Sequence, residues 1–309
     1  MAEEKEQRFH PAVIGLLAVF CCVLWGSAFP CIKIGYRLFS IASEDTGSVI
    51  LFAGIRFAMA GVLVLLAGSA LQKQLLVPKA AEYKKILILS LLQTSVQYAF
   101  FYIGLAHATG VKGAIITGSN SLLSILVASL IFHQEQLTFF KAAGCLLGFA
   151  GVAIANISGG GMDLDFTLRG EGFVFFSALS YAFSSVLIKK YSQDSNPVML
   201  SGWQFFVGGL TLSTLGLLMG GRLTECSGPA FTMLLYLALL SAAAYTIWGI
   251  LLKYNPVSQV AIYGFSNPVV GVLLSALFLG EGGQAFSLQN LGALALVSAG
   301  IYVVNRFQN

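Results

Sequence analysis

A few polar side chains stand inside long apolar runs, and they are where this chain could do chemistry. Lys33 and Arg56 are the cations; Gln97, Asn120 and Asn267 are the amides. A charge at membrane depth costs roughly 2.5–3.5 kcal/mol on insertion scales, so it must face protein or water. An amide in an apolar setting needs a hydrogen-bond partner. A cation can attract a carboxylate or a phosphate, and amides can orient a polar solute. Trp25, Tyr98, Tyr102, Tyr181, Trp248 and Tyr263 share these runs and would give such a site apolar walls with polar tips. Each residue also has a purely structural use. Lys33 follows Pro30 by three positions and precedes Tyr36 and Arg37, so it can snorkel to an interface. Arg56 can pair with Glu44 or Asp45, hold a backbone carbonyl, or contact substrate directly. The amides can join helices, and the aromatics can pack or form interfacial belts. The expected substrate-binding set is Trp25, Lys33, Gln97, Tyr98, Tyr102, Asn120, Tyr181, Trp248, Tyr263 and Asn267. Pro30, Arg56 and Pro268 are expected to be structural or gating residues, because proline inside a helix removes a hydrogen bond and bends the axis.

Other chemistries find no support. The 13 acidic residues fall in tails, loops and the edges of apolar runs. This argues against a proton-coupled cation exporter, which needs a carboxylate in its cavity. His10, His107 and His133 have no ligand spacing, and Cys21, Cys22, Cys31, Cys145 and Cys226 form no Cys-x-x-Cys pair. No Gly-x-Ser-x-Gly elbow or phosphate-binding loop occurs. No catalytic residue, metal or cofactor is expected, and the chain reads as a non-enzyme.

The elements that must position these residues follow from composition. Of 309 residues, 57% are apolar and 10% charged, and the mean hydropathy is +0.83. A soluble domain carries about 25% charged residues, so the solvent here must be lipid. The apolar runs are close to 20 residues long, which suits helices crossing a core of about 30 Å. The short alternating segments of a β-barrel are absent. Ten spans are expected: 12–36, 48–71, 84–107, 111–132, 138–157, 170–190, 198–219, 230–252, 256–279 and 286–305. Pro256 would open the ninth at its first helical position. Residues 1–10 form a tail with no basic signal-peptide start, and residues 158–169 read as a linker.

That linker separates two similar halves, 11–157 and 170–306. Ala114–Glu135 (AIITGSNSLLSILVASLIFHQE) matches Val260–Glu281 (VAIYGFSNPVVGVLLSALFLGE). Trp25–Ile34 matches Tyr181–Lys190, setting Lys33 against Lys189. Gly54-Ile55-Arg56-Phe57 matches Gly202-Trp203-Gln204-Phe205, and Tyr102 falls opposite Trp248. Five spans per half is an odd number, so the halves would be inverted about an axis in the membrane plane. The solute path of such proteins lies at the seam.

On these motifs (WGSAFPCIK in span one, IRF in span two, Glu-x-Leu-Thr after span four, and the repeat) the chain resembles the drug/metabolite transporter superfamily, EamA type. The resemblance implies an all-α polytopic membrane protein of ten transmembrane helices in two inverted five-helix repeats. It also implies a cavity lined mainly by spans 1, 3, 4, 6, 8 and 9, and export of amino acids or other small metabolites. The expectation is a secondary transporter working by alternating access on a neutral or amphipathic amino acid. An importer or exchanger of an anionic metabolite using Lys33 is the second reading, and a non-transporting component that binds lipid or a partner protein is the third. Its partners would be a small-molecule substrate and the bilayer. Gly144-xxx-Gly148 suits either internal packing or a homodimer. With the N-terminus inside, 11 cations lie inside (Lys5, Arg8, Lys73, Lys79, Lys84, Lys85, Lys141, Lys189, Lys190, Lys253, Arg306) and 4 outside (Arg37, Lys112, Arg169, Arg222). Both termini should then be cytoplasmic. The net charge of +4 follows from those loops and calls for no nucleic acid. A bacterial inner membrane is the expected location.

Overall fold

A computed structural model describes residues 11–134, 136–155, 166–255, 257–280 and 287–306. The tail 1–10, Glu135 and Glu281 at the repeat ends, Pro256, and linker residues 158–165 lie outside the described residues. All regular structure among the described residues is helical. The helical stretches are α1 (Pro11–Leu38), α2 (Thr46–Gln72), α3 (Ala80–His107) and α4 (Gly110–Ile131). They continue with α5 (Phe139–Ala155), α6 (Leu168–Tyr191), α7 (Pro197–Leu218) and α8 (Gly228–Tyr254). The last two are α9 (257–279) and α10 (Leu288–Arg306). The linker was expected to run to Arg169, but α6 already begins at Leu168, where the Thr167 hydroxyl caps the Gly170 N–H.

Seven of these helices (α1–α4 and α6–α8) are long and apolar enough to cross a membrane. Shorter apolar helices lie within α5, α9 and α10. Leu16, Leu66, Leu146, Leu218 and Leu277 point outward and are exposed. Such a surface is stable only where the solvent is itself apolar.

Local sequence starts these helices where the hydropathy does. Asp45 accepts from the Ser48 N–H at 3.0 Å to cap α2, and Thr109 from the Lys112 N–H at 3.2 Å to cap α4. Asn196 and Ser227 cap α7 and α8, each with proline in the first turn. These caps satisfy N–H groups that the helix cannot.

Close packing comes from small residues. A Cβ on Gly54 would lie 2.3 Å from the Ser213 nitrogen, and one on Gly209 would lie 2.2 Å from the Ala58 nitrogen. α2 and α7 therefore touch backbone to backbone. α5 and α10 meet the same way, with a Cβ on Gly300 falling 2.4 Å from the Gly144 carbonyl. Gly144-xxx-Gly148 is thus used inside the chain. Around these pairs, α1 packs on α8 and α9, α3 on α6, and α4 on α6 and α9.

Three helices are irregular where they approach the centre. α3 widens to π-helical turns over Ser90–Val96, just before Gln97. α4 tightens at Gly118, whose N–H is shared between the Ala114 and Ile115 carbonyls. α9 tightens to a 3-10 turn over Ile262–Phe265, just before Asn267. Irregular backbone at membrane depth is tolerated only where protein or a cavity covers it.

Candidate functional site

The two tightened turns, at Gly118 and at Ile262–Phe265, lie against each other. A Cβ on Gly264 would come 2.8 Å from the Ser121 hydroxyl, and one on Gly118 would come 3.2 Å from the Pro268 ring. The Ser121 hydroxyl donates to the Ala261 carbonyl at 3.0 Å, binding α4 to the strained part of α9. Gly118 and Gly264 are 146 positions apart, the spacing of the sequence repeat.

At this crossing lies a cavity with about 840 Å³ of space between atoms, part of it open outward. α1 lines it with Trp25, Ala28 and Phe29, and α3 with Gln97, Tyr98 and Phe101. α4 contributes Thr117, Asn120, Ser121 and Ser124; α6 contributes Ser177, Tyr181 and Ser185. α8 adds Tyr245, Trp248 and Leu252, and α9 adds Val257, Ala261, Gly264 and Asn267. One residue comes from α2, and it is Arg56.

Of the expected set, Trp25, Gln97, Tyr98, Asn120, Tyr181, Trp248 and Asn267 line this cavity. Lys33, Tyr102 and Tyr263 do not. The Lys33 amine donates to the Ala108 carbonyl at 2.7 Å, at the end of α3. Tyr102 is fully buried behind the wall, bonded to Arg56 through its hydroxyl. Tyr263 turns toward α1, where its hydroxyl would lie 3.0 Å from a Cβ on Gly15. Tyr263 sits on the 3-10 turn of α9, and falling on a cavity helix does not by itself turn a side chain inward. Pro30 lies within α1 and Pro268 in the first turn of the regular part of α9, next to Asn267.

Arg56 is 2% exposed. Its Nε donates to the Leu237 carbonyl at 3.0 Å and its Nη2 to the Ser241 hydroxyl at 2.8 Å, both on α8. Its Nη1 donates to the Tyr102 hydroxyl. Of the two structural arrangements the sequence left open, it holds a backbone carbonyl, and Asp45 is committed to its helix cap; direct contact with a substrate stays open. The guanidinium lies 5.0 Å from the Phe57 ring centre and 5.8 Å from that of Tyr102. It is a buried cation held by neutral groups alone.

Thr117, Ser121 and Ser124 bond backbone carbonyls, but four other polar atoms of the lining are unpartnered. Trp25 Nε1, Gln97 Oε1, Asn120 Oδ1 and Asn267 Oδ1 are buried and have no hydrogen-bond partner in the structure. Leaving such a group unpaired costs about 1–3 kcal/mol each. Beside them, Trp25 packs edge-on against Tyr245 at 5.1 Å and Trp248 at 4.9 Å between ring centres. The Tyr98 and Tyr245 hydroxyls share a hydrogen bond across the cavity.

Sequence reasoning missed Tyr245 and the hydroxyl residues of α4 and α6. Their signal is present: Thr117, Asn120, Ser121 and Ser124 follow the spacing of one helix face, as do Ser177, Tyr181 and Ser185. No group of three His, Cys, Asp or Glu that could hold a metal occurs among the described residues.

Helices that carry an apolar coat, and enclose a cavity lined by aromatic and polar side chains, define a multi-pass membrane protein. The chain belongs to the EamA-like transporter family, whose model matches residues 13–157 and again residues 168–306. An uncharacterized transporter, YvbV, of Bacillus subtilis is 27% identical over 298 residues, covering 94% of this chain and 90% of that protein. A WAT1-related chloroplastic protein of Arabidopsis thaliana is 27% identical over 263 residues, covering 82% of this chain and 62% of that one. Protein PecM of Dickeya dadantii is 26% identical over 264 residues, with 82% of each covered. A solved crystal structure superposes with a TM-score of 0.67 over 96% of both chains at 19% identity, a likeness of fold.

Proposed function

We propose that this membrane transporter moves a small metabolite with polar and apolar parts, a neutral or amphipathic amino acid first among them, by alternating access. The observation that carries this reading is the crossing of α4 and α9. Two locally tightened helices meet there, and unpartnered amide oxygens face a cavity walled by aromatic rings. Irregular backbone at membrane depth is tolerated where it lines a cavity, and transporter solute sites lie where two repeats meet. The substrate would be held by Gln97, Asn120 and Asn267 and flanked by Trp25, Tyr98, Tyr181 and Trp248. Lys33, Tyr102 and Tyr263 would support the walls. This gives the reading based on Lys33 as an anion site no geometric support.

The architecture behind it is ten spans in two inverted halves, 11–157 and 170–306, with both termini cytoplasmic in an inner membrane. One family model matching each half supports this. So does the packing, which survives exchange of equivalent helices. α1 on α8 mirrors α6 on α3, α1 on α9 mirrors α6 on α4, and α2 and α5 each pack on their own equivalents, α7 and α10. The lysines obey the same exchange. Lys33 donates to the carbonyl that ends α3, and Lys189 donates at 3.0 Å to Asn255, which ends α8. Export is the direction that the family resemblance favours. No chemistry of an enzyme is proposed.

A thermal-shift screen of the purified protein against amino acids, nucleosides and organic anions tests the reading, because a ligand of the folded state raises its stability. Neutral amino acids should raise the Tm, and nucleosides should not. A response to nucleosides alone would refute it.

A further inference from the structure

Arg56 gives the cavity a charge that nothing in its wall cancels. It is 2% exposed, lines the cavity, and forms no ion pair among the described residues. The ion pairs found there are Lys85–Asp194 and Lys112–Glu171, and no cavity-lining residue is acidic. Arginine stays protonated in any protein environment. Its three hydrogen bonds, to Leu237, Tyr102 and Ser241, use three of five N–H donors and all go to neutral oxygens. They aim the group and leave its charge in place. A purely structural clamp between α2 and α8 needs no permanent charge at this depth, where charge is expensive.

Resting on the transport reading above, we propose that Arg56 is the substrate-recognising cation. It would take the solute's carboxylate, while the amide oxygens of Gln97, Asn120 and Asn267 take its ammonium group. Gln97 and Asn267 are 5% and 8% exposed, and each carries an unpartnered oxygen. A cation with acceptors in one wall is complementary to a zwitterion. It disfavours a bare amine, which meets Arg56 as a like charge, and a bare anion, which leaves the acceptors unsatisfied. The guanidinium's fixed fork suits a carboxylate in particular.

The test compares acid with carboxamide, which differ in that one charge. Wild-type protein in liposomes is assayed by competition of labelled phenylalanine or leucine counterflow with the unlabelled acid, its carboxamide and the amine lacking that carbon. Working at about pH 6 keeps every amine protonated. The proposal expects the acid to compete at least ~10-fold better than either neutralised analogue, the size of a hydrogen bond to a charged group. Arg56→Gln should erase that difference, and Arg56→Lys should keep part of it. A carboxamide that competes as well as the acid in the wild type overturns the role of Arg56 while leaving transport standing. An Arg56→Gln protein that folds and still prefers the acid does the same. If Arg56→Gln does not fold, the wild-type comparison alone decides. Absence of counterflow for every labelled solute overturns the transport reading itself.

Discussion

At the residue scale, two cations stand at membrane depth and their surroundings separate them. The Lys33 amine ends α3 by bonding a terminal carbonyl, as a cation at a helix C-terminus does. Lys33→Met should therefore cost about 1–2 kcal/mol of stability. It should lower the Tm by a few degrees without altering substrate preference, and a changed preference would return Lys33 to the site. Asn120 and Asn267 carry the opposite expectation. Asn267→Ala removes a buried oxygen that has no protein partner, so the Tm should hold or rise. Binding of a neutral amino acid should weaken by about 1–3 kcal/mol, read as a lost ligand-induced shift. A Tm that falls without any loss of binding would mean the amide is structural. The sequence identified these polar residues by type, because each is costly in an apolar run. It could not say which cation faced the cavity, since that depends on where α8 offers the Leu237 carbonyl and the Ser241 hydroxyl to Arg56.

At the scale of elements, hydropathy alone gave helix limits within a few residues of the observed ones, because the capping residues coincide with the hydropathy edges. α2 was expected over 48–71 and runs Thr46–Gln72, starting after its Asp45 cap. Which side chains of a helix face the cavity was not legible. Tyr263, on the 3-10 turn of α9, turns toward α1, and Tyr102, one turn beyond Tyr98, is covered by Arg56. Neither arrangement has a mark in hydropathy. Glycine spacing does mark the close helix pairs. Gly209→Leu would drive a branched side chain into the α2 backbone, where even a Cβ would be 2.2 Å from the Ala58 nitrogen. Backbone cannot yield there as a side chain could, and the variant should lose its monodisperse folded fraction in detergent. Gly228→Leu, where a Cβ meets nothing within 4 Å, is the matched control and should purify normally.

At the scale of the molecule, the proposed inverted arrangement would fix which loops share a side. Cys226, between α7 and α8, is free and exposed, whereas the other four cysteines are buried or half-buried within helices. With the N-terminus inside, that loop is external. A membrane-impermeant maleimide should label intact cells, and Cys226→Ser should abolish the labelling. Labelling that requires permeabilised cells would reverse the orientation. The similarity of the halves is visible in the sequence because Gly118 and Gly264 fall at equivalent positions with an amide close behind each. The ion pairs Lys85–Asp194 and Lys112–Glu171 are not, because they join residues 109 and 59 positions apart with no sequence signature.

The central claim is that the crossing of α4 and α9 is where the solute sits. The most direct measurement is counterflow of labelled neutral amino acids into liposomes holding the purified protein, with the Asn120→Ala/Asn267→Ala double variant beside the wild type. The account predicts saturable counterflow in the wild type and at least a ~10-fold loss in a double variant that remains folded. A folded double variant that moves the same solute as fast as the wild type would contradict it.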